Sequence, residues 1–223
     1  MDDLIARTAG AAAVLFDVDG TLYRQASLRR RMAVRLITHH LPRPRRGRRA
    51  MAALKAYRGA QEEMRDEGFV GAVETEQLRR AASASGLPVA EVAATVERWM
   101  EEVPLDEIRT CRRPGLIDLL EALADRDVPI AAVSDYPAAR KLAALGVARY
   151  FDTTVCAQDP EVGVFKPNPR GLNVALARLG VAPHLAIYVG DRAEVDGAAA
   201  AAAGVRALIL AADGTAVETG DPS

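Results

Sequence analysis

The sequence predicts an α/β fold: a doubly wound parallel sheet carrying a small helical insert. Short apolar runs bounded by turn residues recur along the chain, helically spaced segments alternate with them, and residues 23–112 break the alternation with helical patterns alone. A strand buried on both faces reads as a near-continuous apolar run, and strands that alternate with helices assemble in parallel.

Residues 12–16 form the first such run, which ends at Asp17. Helical spacing over residues 116–124 leads into a strand over 129–133, closed by Ser134. Residues 137–145 predict a helix stopped by Gly146, 153–156 a strand, 172–179 a helix stopped by Gly180, and 186–189 a strand ending in Gly190 and Asp191. Residues 195–203 predict a helix stopped by Gly204, whose alanines from Ala198 to Ala203 favour a helix lying close to the sheet. Residues 207–210 predict the last strand, and the polar, glycine-bearing tail beyond it is expected to fray.

Residues 23–112 are far too many for one crossover. They are read as a helical cap domain, with residues 1–22 and 113–223 forming the α/β core. The candidate cap helices are 28–41, 50–67, 75–85 and 89–103, separated by LPRPRRGR and by glycine-bearing turns. Charge is split across the insert. Residues 24–58 hold twelve Lys or Arg and no acid, whereas 62–107 are rich in Glu and Asp, so the halves face each other or solvent. A basic surface that attracts an anionic substrate is the sharper reading. Nucleic acid is not the expected partner, because no binding motif or interleaved aromatic accompanies the basic run.

The chain has 223 residues, half of them apolar, with a net charge of −1, which describes an ordinary globular protein and names no partner. Cys111 and Cys156 are too few for a disulfide framework and lie in no zinc-ligand pattern, so a cytoplasmic location is expected. The opening MDDLIARTAGAAAVLF resembles neither a cationic signal peptide nor a membrane span. Oligomeric state stays open.

Asp17 and Asp19 in DVDGT leave the first strand two residues apart, so their carboxylates share one small space. Crowded carboxylates at a strand end call for a divalent metal or a coupled acid/base role. Gly20 permits a sharp exit from the strand. Ser134, Lys166 in GVFKPNP and Asp191 in VGDRAEVD follow later strands. Singly, they read as a helix cap, a solvated lysine and another cap. Jointly, they fall on the carboxyl rim of one sheet, where open parallel sheets bind ligands. An Asp can attack phosphorus, Lys166 and Ser134 can hold the transferring oxygens, and Asp191 can complete a magnesium site.

FDVDGTLY, VSDYP, VFKPNP and VGDRAEVD together resemble the four motifs of the haloacid dehalogenase-like hydrolases, in the family's order. The resemblance implies a Rossmann-like core with an α-helical cap that selects the substrate, as in phosphoglycolate phosphatase-like members. It implies a Mg²⁺-dependent phosphatase for a small phosphorylated metabolite. Asp17 would be the nucleophile and Asp19 the general acid and base. Thr21 would help position the active-site loop, Ser134 would bind the phosphoryl group, and Lys166 would neutralise charge. Asp191 would ligate Mg²⁺ with Asp17 and the Asp19 carbonyl, supported by Asp196. Asp19 is expected to have a raised pKa, as an acid must.

The family's dehalogenases lack an acid at the position of Asp19, so a phosphate ester is favoured over a carbon–halogen bond. A phosphomutase or a catalytically idle relative are the alternatives. A response-regulator receiver shares the residue types but places its acceptor on a middle strand and has no cap. His39, His40 and His184 lack ligand spacing, Tyr136 and Arg192 flank motif positions, and Trp99 is read as cap core.

Overall fold

The computed structural model describes residues 2–211 and 214–219. The elements run α1 (Asp2–Arg7), β1 (Ala13–Phe16), α2 (Gln25–His40), α3 (Pro44–Asp66), α4 (Val73–Ser85), α5 (Val89–Val96) and α6 (Leu105–Ile108). There follow α7 (Leu116–Ala124), β2 (Ile130–Ser134), α8 (Ala139–Leu145), β3 (Thr153–Cys156), α9 (Arg170–Leu179), β4 (Ala186–Gly190), α10 (Ala198–Ala203), β5 (Arg206–Leu210) and β6 (Ala216–Thr219).

Every strand expected from an apolar run is present, in the sheet order β3-β2-β1-β4-β5-β6. The first five strands pair in parallel, and β6 pairs antiparallel with β5. That edge strand departs from the fraying expected of the tail. The Ala211 amide donates to the Thr215 carbonyl at 2.8 Å, and the chain turns there and returns along β5. Residues 212–213 and 220–223, also part of that expectation, lie outside the described residues.

Period-2 alternation divides the core into two layers. Val14 and Phe16 of β1 pack with Leu4 of α1, Leu116, Leu119, Leu120 and Leu123 of α7 and Leu142 of α8. Ala13 and Leu15 face the other way, onto Leu172, Ala175 and Leu176 of α9 and Ala199 and Ala200 of α10. The polyalanine helix does bury part of its surface against the sheet. Strand order reverses at β1, between β2 and β4, which opens the crevice that receives Asp17.

The elements of the intervening segment are helices joined by short turns, and Ala53, Leu54, Tyr57, Ala81, Val92 and Trp99 build a separate apolar cluster. Trp99 is buried there, with the rings of His39 and His40 at 5.4 and 5.8 Å. Helix α3 starts at Pro44, earlier than expected, so most of the arginine-rich separator is helical. Proline at the first helical position supplies the φ that the helix needs and forfeits an amide that would be unpaired anyway. The basic and acidic halves meet across helices: Arg31 pairs with Glu107 at 3.0 Å, Arg35 with Asp106 at 3.0 Å, and Arg49 with Glu91 at 2.6 Å. The insert leaves and re-enters the core side by side. Tyr23 and Arg112 form an antiparallel bridge, the Arg24 amide donates to Cys111 at 2.8 Å, and the Arg113 amide to Leu22 at 3.1 Å. Among the described residues, no helix is long and apolar enough to cross a membrane.

Candidate active site

Asp17 follows β1 directly, and its two carboxylate oxygens have separate partners. Lys166 Nζ donates to Oδ1 at 2.6 Å, and Thr21 Oγ1 donates to Oδ2 at 3.0 Å. Lys166 also donates to Asp196 Oδ1 at 2.6 Å and to the Tyr188 hydroxyl at 3.0 Å. Asp17, Lys166 and Asp196 are all buried, so these are charge-assisted bonds in a poorly solvated space. The π-helical turn Ala193–Gly197 brings Asp196 back over the end of β4, where Oδ2 accepts the amides of Asp191 and Arg192 at 3.1 and 3.0 Å.

Asp17, Asp191 and Asp196 each offer a carboxylate oxygen, and these atoms lie within 4.8 Å of one another. Hard oxygen donors at this spacing fit a small divalent cation such as Mg²⁺. The electrostatics agree. Burial and the neighbouring Asp196 raise the pKa of Asp191 to about 6. Burial also holds that of Asp17 well above the usual carboxylate range, with Lys166 opposing and Asp196 reinforcing. One ammonium does not balance three carboxylates; a divalent cation would. Gly20, at φ +110°, leaves room for this cluster, since a Cβ there would collide with the Asp191 carboxylate. Arg113 braces the same loop, donating Nη2 to the Gly20 carbonyl at 2.8 Å.

The Asp19 pKa differs from expectation. The carboxylate is not in the metal-capable group; both oxygens accept from Lys141 Nζ at 2.7 Å, and Tyr23 donates its hydroxyl to Oδ1. Burial alone would raise its pKa, but Lys141 and then Tyr23 overcome that penalty, so the pKa is lowered rather than raised. The sequence expectation considered water exclusion and the adjacent carboxylate, but not a lysine arriving from α8. Ser134 ends β2 as foreseen, yet it does not line the cavity between the core and the insert, and its Oγ accepts the Tyr136 amide at 3.3 Å.

That cavity has a volume of about 800 Å³, and Asp17, Asp19, Lys166, Asp191 and Asp196 form its floor. Helix α3 is tied down beside it. Arg65 donates to the Lys166 carbonyl at 2.7 Å and to Asp135 Oδ2 at 2.6 Å, and Gln61 donates to Asp135 Oδ2 at 3.0 Å. Tyr136, left between packing and substrate roles by its position alone, stacks on Tyr57 and donates its hydroxyl to Gln61 at 2.9 Å.

A stability consequence follows from the raised acids. A carboxylate whose folded pKa exceeds its unfolded value binds protons preferentially in the native state, so stability increases as pH falls through the folded pKa. For Asp191, raised to about 6, that window lies between about pH 7 and the unfolded value near 3.8, and the raised Asp17 acts in the same direction. His40, whose pKa is lowered chiefly by burial, acts in the opposite sense. The metal-free protein should therefore melt at a higher temperature at pH 5.5 than at pH 7.5, and millimolar Mg²⁺ should reverse the order. Scanning calorimetry in EDTA and in Mg²⁺ checks both arms.

A family model described as haloacid dehalogenase-like hydrolase matches residues 11–204. The chain belongs to the haloacid dehalogenase-like hydrolases. This haloacid dehalogenase-like hydrolase is 32% identical over 191 residues to the glyceraldehyde 3-phosphate phosphatase of Methanopyrus kandleri, covering 82% of this chain and 77% of that one. It is 30% identical over 185 residues to the validoxylamine A 7'-phosphate phosphatase of Streptomyces hygroscopicus subsp. limoneus, covering 79% and 75%. Among solved structures, it resembles the 2-haloacid dehalogenase of Pseudomonas syringae pv. Tomato DC3000 at a TM-score of 0.59 and 26% identity, covering 87% of this chain and 84% of that one.

Sequence reasoning about this haloacid dehalogenase-like hydrolase overlooked Lys141, Tyr23, Tyr188 and the Asp135–Arg65 tie. Lys141 left one signal, a lone lysine among Leu142, Leu145 and alanines on a helix that had to pack on the sheet. Tyr23 sits only four residues from Asp19 in the first motif, whereas Tyr188, Asp135 and Arg65 have partners farther along the chain.

Proposed function

We propose that the protein is a Mg²⁺-dependent phosphatase that hydrolyses a small phosphate monoester through an aspartyl-phosphate on Asp17. The observation that carries this reading is the Lys166 ammonium held between Asp17 and Asp196 on the floor of the cavity. Asp17, Asp191 and Asp196 would hold the cation. When bound, Mg²⁺ supplies Lewis-acid stabilisation of the charge that builds on the transferring phosphoryl oxygens.

The chain's own groups account for the rest. An Asp17 oxygen attacks phosphorus, the bond from phosphorus to the ester oxygen breaks, and the leaving alkoxide takes a proton from Asp19. Water then attacks phosphorus and gives its proton to Asp19, the bond to Asp17 breaks, and inorganic phosphate leaves. Held by Lys141 and Tyr23, Asp19 is a carboxylate, the form suited to the second half. The first half needs it protonated. An incoming dianionic phosphoryl group competes for Lys141 and loosens the ion pair that keeps the Asp19 pKa low. Lys166 offsets charge at the nucleophile. Ser134 accepts from the Tyr136 amide and lies outside the cavity lining, so no phosphoryl contact is assigned to it.

Phosphate release from p-nitrophenyl phosphate and a panel of phosphorylated metabolites tests the reading. Release should require Mg²⁺, stop with EDTA and resume when Mg²⁺ is restored. Metal-independent release, or an isomerised sugar phosphate with no free phosphate, would defeat it.

A further inference from the structure

We propose that the alcohol half of the substrate carries an acidic group near the ester and an apolar body beyond it. The proposal rests on the phosphatase reading and names the class of ester that the site would take.

Two helices give the cavity the same order of chemistry. On α3, Arg65 and Gln61 are fixed to the core through Asp135, so the N-terminal half of the helix leads away from the catalytic floor. At about 1.5 Å of rise per residue, Arg58 stands roughly 10 Å above Arg65, and Leu54 one turn further. Beside α2, the anchor is Tyr23 against Asp19, just before the helix begins; on the helix Arg29 follows, then Met32 and Leu36. Both walls therefore read anchor, cation, apolar surface, and Trp99 and Met100 extend the apolar end.

The cations at the middle level lack carboxylate partners among the described residues, unlike Arg65, Lys141 and Lys166 at the floor of the same cavity. Elsewhere in the insert, Arg31, Arg35, Arg49, Arg65, Arg79 and Arg80 all meet carboxylates. Among the described residues, Arg29 and Arg58 make no side-chain hydrogen bond or ion pair, although both line the cavity. Burial and the like charge of Arg29 lower the pKa of Arg58, so an anion placed between the two guanidiniums removes a repulsion as well as gaining a partner. A ligand that ends in an acid at these arginines leaves the apolar level unfilled. A cavity of about 800 Å³ is in the range that takes a larger organic ligand.

Three esters separate the features: phosphoglycolate, with the acid alone; 2-phenylethyl phosphate, with the apolar body alone; and O-phosphorylated phenyllactate, with both. In Mg²⁺, the third should exceed each of the others by at least about tenfold in kcat/KM. Quenching of Trp99, the sole tryptophan, should show the same order in apparent Kd. Arg58→Met should collapse the preference for phosphorylated phenyllactate over 2-phenylethyl phosphate, and Leu54→Asp its preference over phosphoglycolate. Equal kcat/KM for the three esters, in a preparation that hydrolyses p-nitrophenyl phosphate, overturns this inference and leaves the phosphatase reading intact. Failure to hydrolyse p-nitrophenyl phosphate and all three esters overturns the phosphatase reading itself.

Discussion

Asp17→Asn is expected to lower the rate of phosphate release by at least about 10⁴-fold, because the phosphoryl acceptor is lost while the rest of the constellation stays in place. The substitution is nearly isosteric. The amide oxygen can keep the bond from Lys166 that Oδ1 now accepts at 2.6 Å, and the amide nitrogen can donate to Thr21 Oγ1, which now donates to Oδ2 at 3.0 Å. Removing one negative charge also relieves a cluster in which burial already pushes the Asp17 pKa up. The metal-free variant should therefore melt no lower than the parent at pH 7.5, even though it is inactive. Phosphate release and a melting curve on the same sample check the pair of outcomes, and turnover within tenfold of the parent would remove Asp17 from the chemistry.

Lys166→Met should damage folding and activity together. The ammonium now satisfies Asp17, Asp196 and the Tyr188 hydroxyl at once, and its removal leaves two buried carboxylates facing each other. Breaking one partner out of a buried charge cluster costs about 3–5 kcal/mol, reduced where a proton can be taken up in its place. The urea midpoint of the metal-free variant should fall accordingly at pH 8 and recover in part toward pH 5.5, as the orphaned carboxylates protonate. Loss of the charge opposite the transferring phosphoryl group should also cost about 10²–10³-fold in kcat. A midpoint at pH 8 equal to that of the parent would show that Lys166 does not hold the cluster together.

How much of this was legible depended on where the information sits. Asp17, Ser134 and Asp191 end or immediately follow strands, and buried strands announce themselves as apolar runs, so their places on one rim could be read directly. Asp196 was recognisable by its distance from Asp191, but its role in bridging Lys166 and two amides depends on a π-helical turn that no pattern predicts. Lys141 reaches Asp19 because α8 packs across the end of the sheet, a tertiary event that its lone place among apolar residues marks but does not aim, and this is why the Asp19 pKa was expected on the wrong side of its usual value. Strand β6 escaped notice for a related reason: only Ala216 of its residues 216–218 is buried, so an edge strand of four residues looked like tail.

The insert leaves the core after Leu22 and returns at Arg113, and the Arg113 amide already donates to the Leu22 carbonyl at 3.1 Å. A two- or three-residue turn would therefore suffice to rejoin the flanking segments if everything between them were excised. The same adjacency means that a helical module of another size could be spliced in at this point without disturbing a single strand pairing. In the proposed phosphatase, selectivity and bond-breaking could thus change independently, since the residues proposed to grip the alcohol half come from one module and those proposed to handle phosphorus from the other.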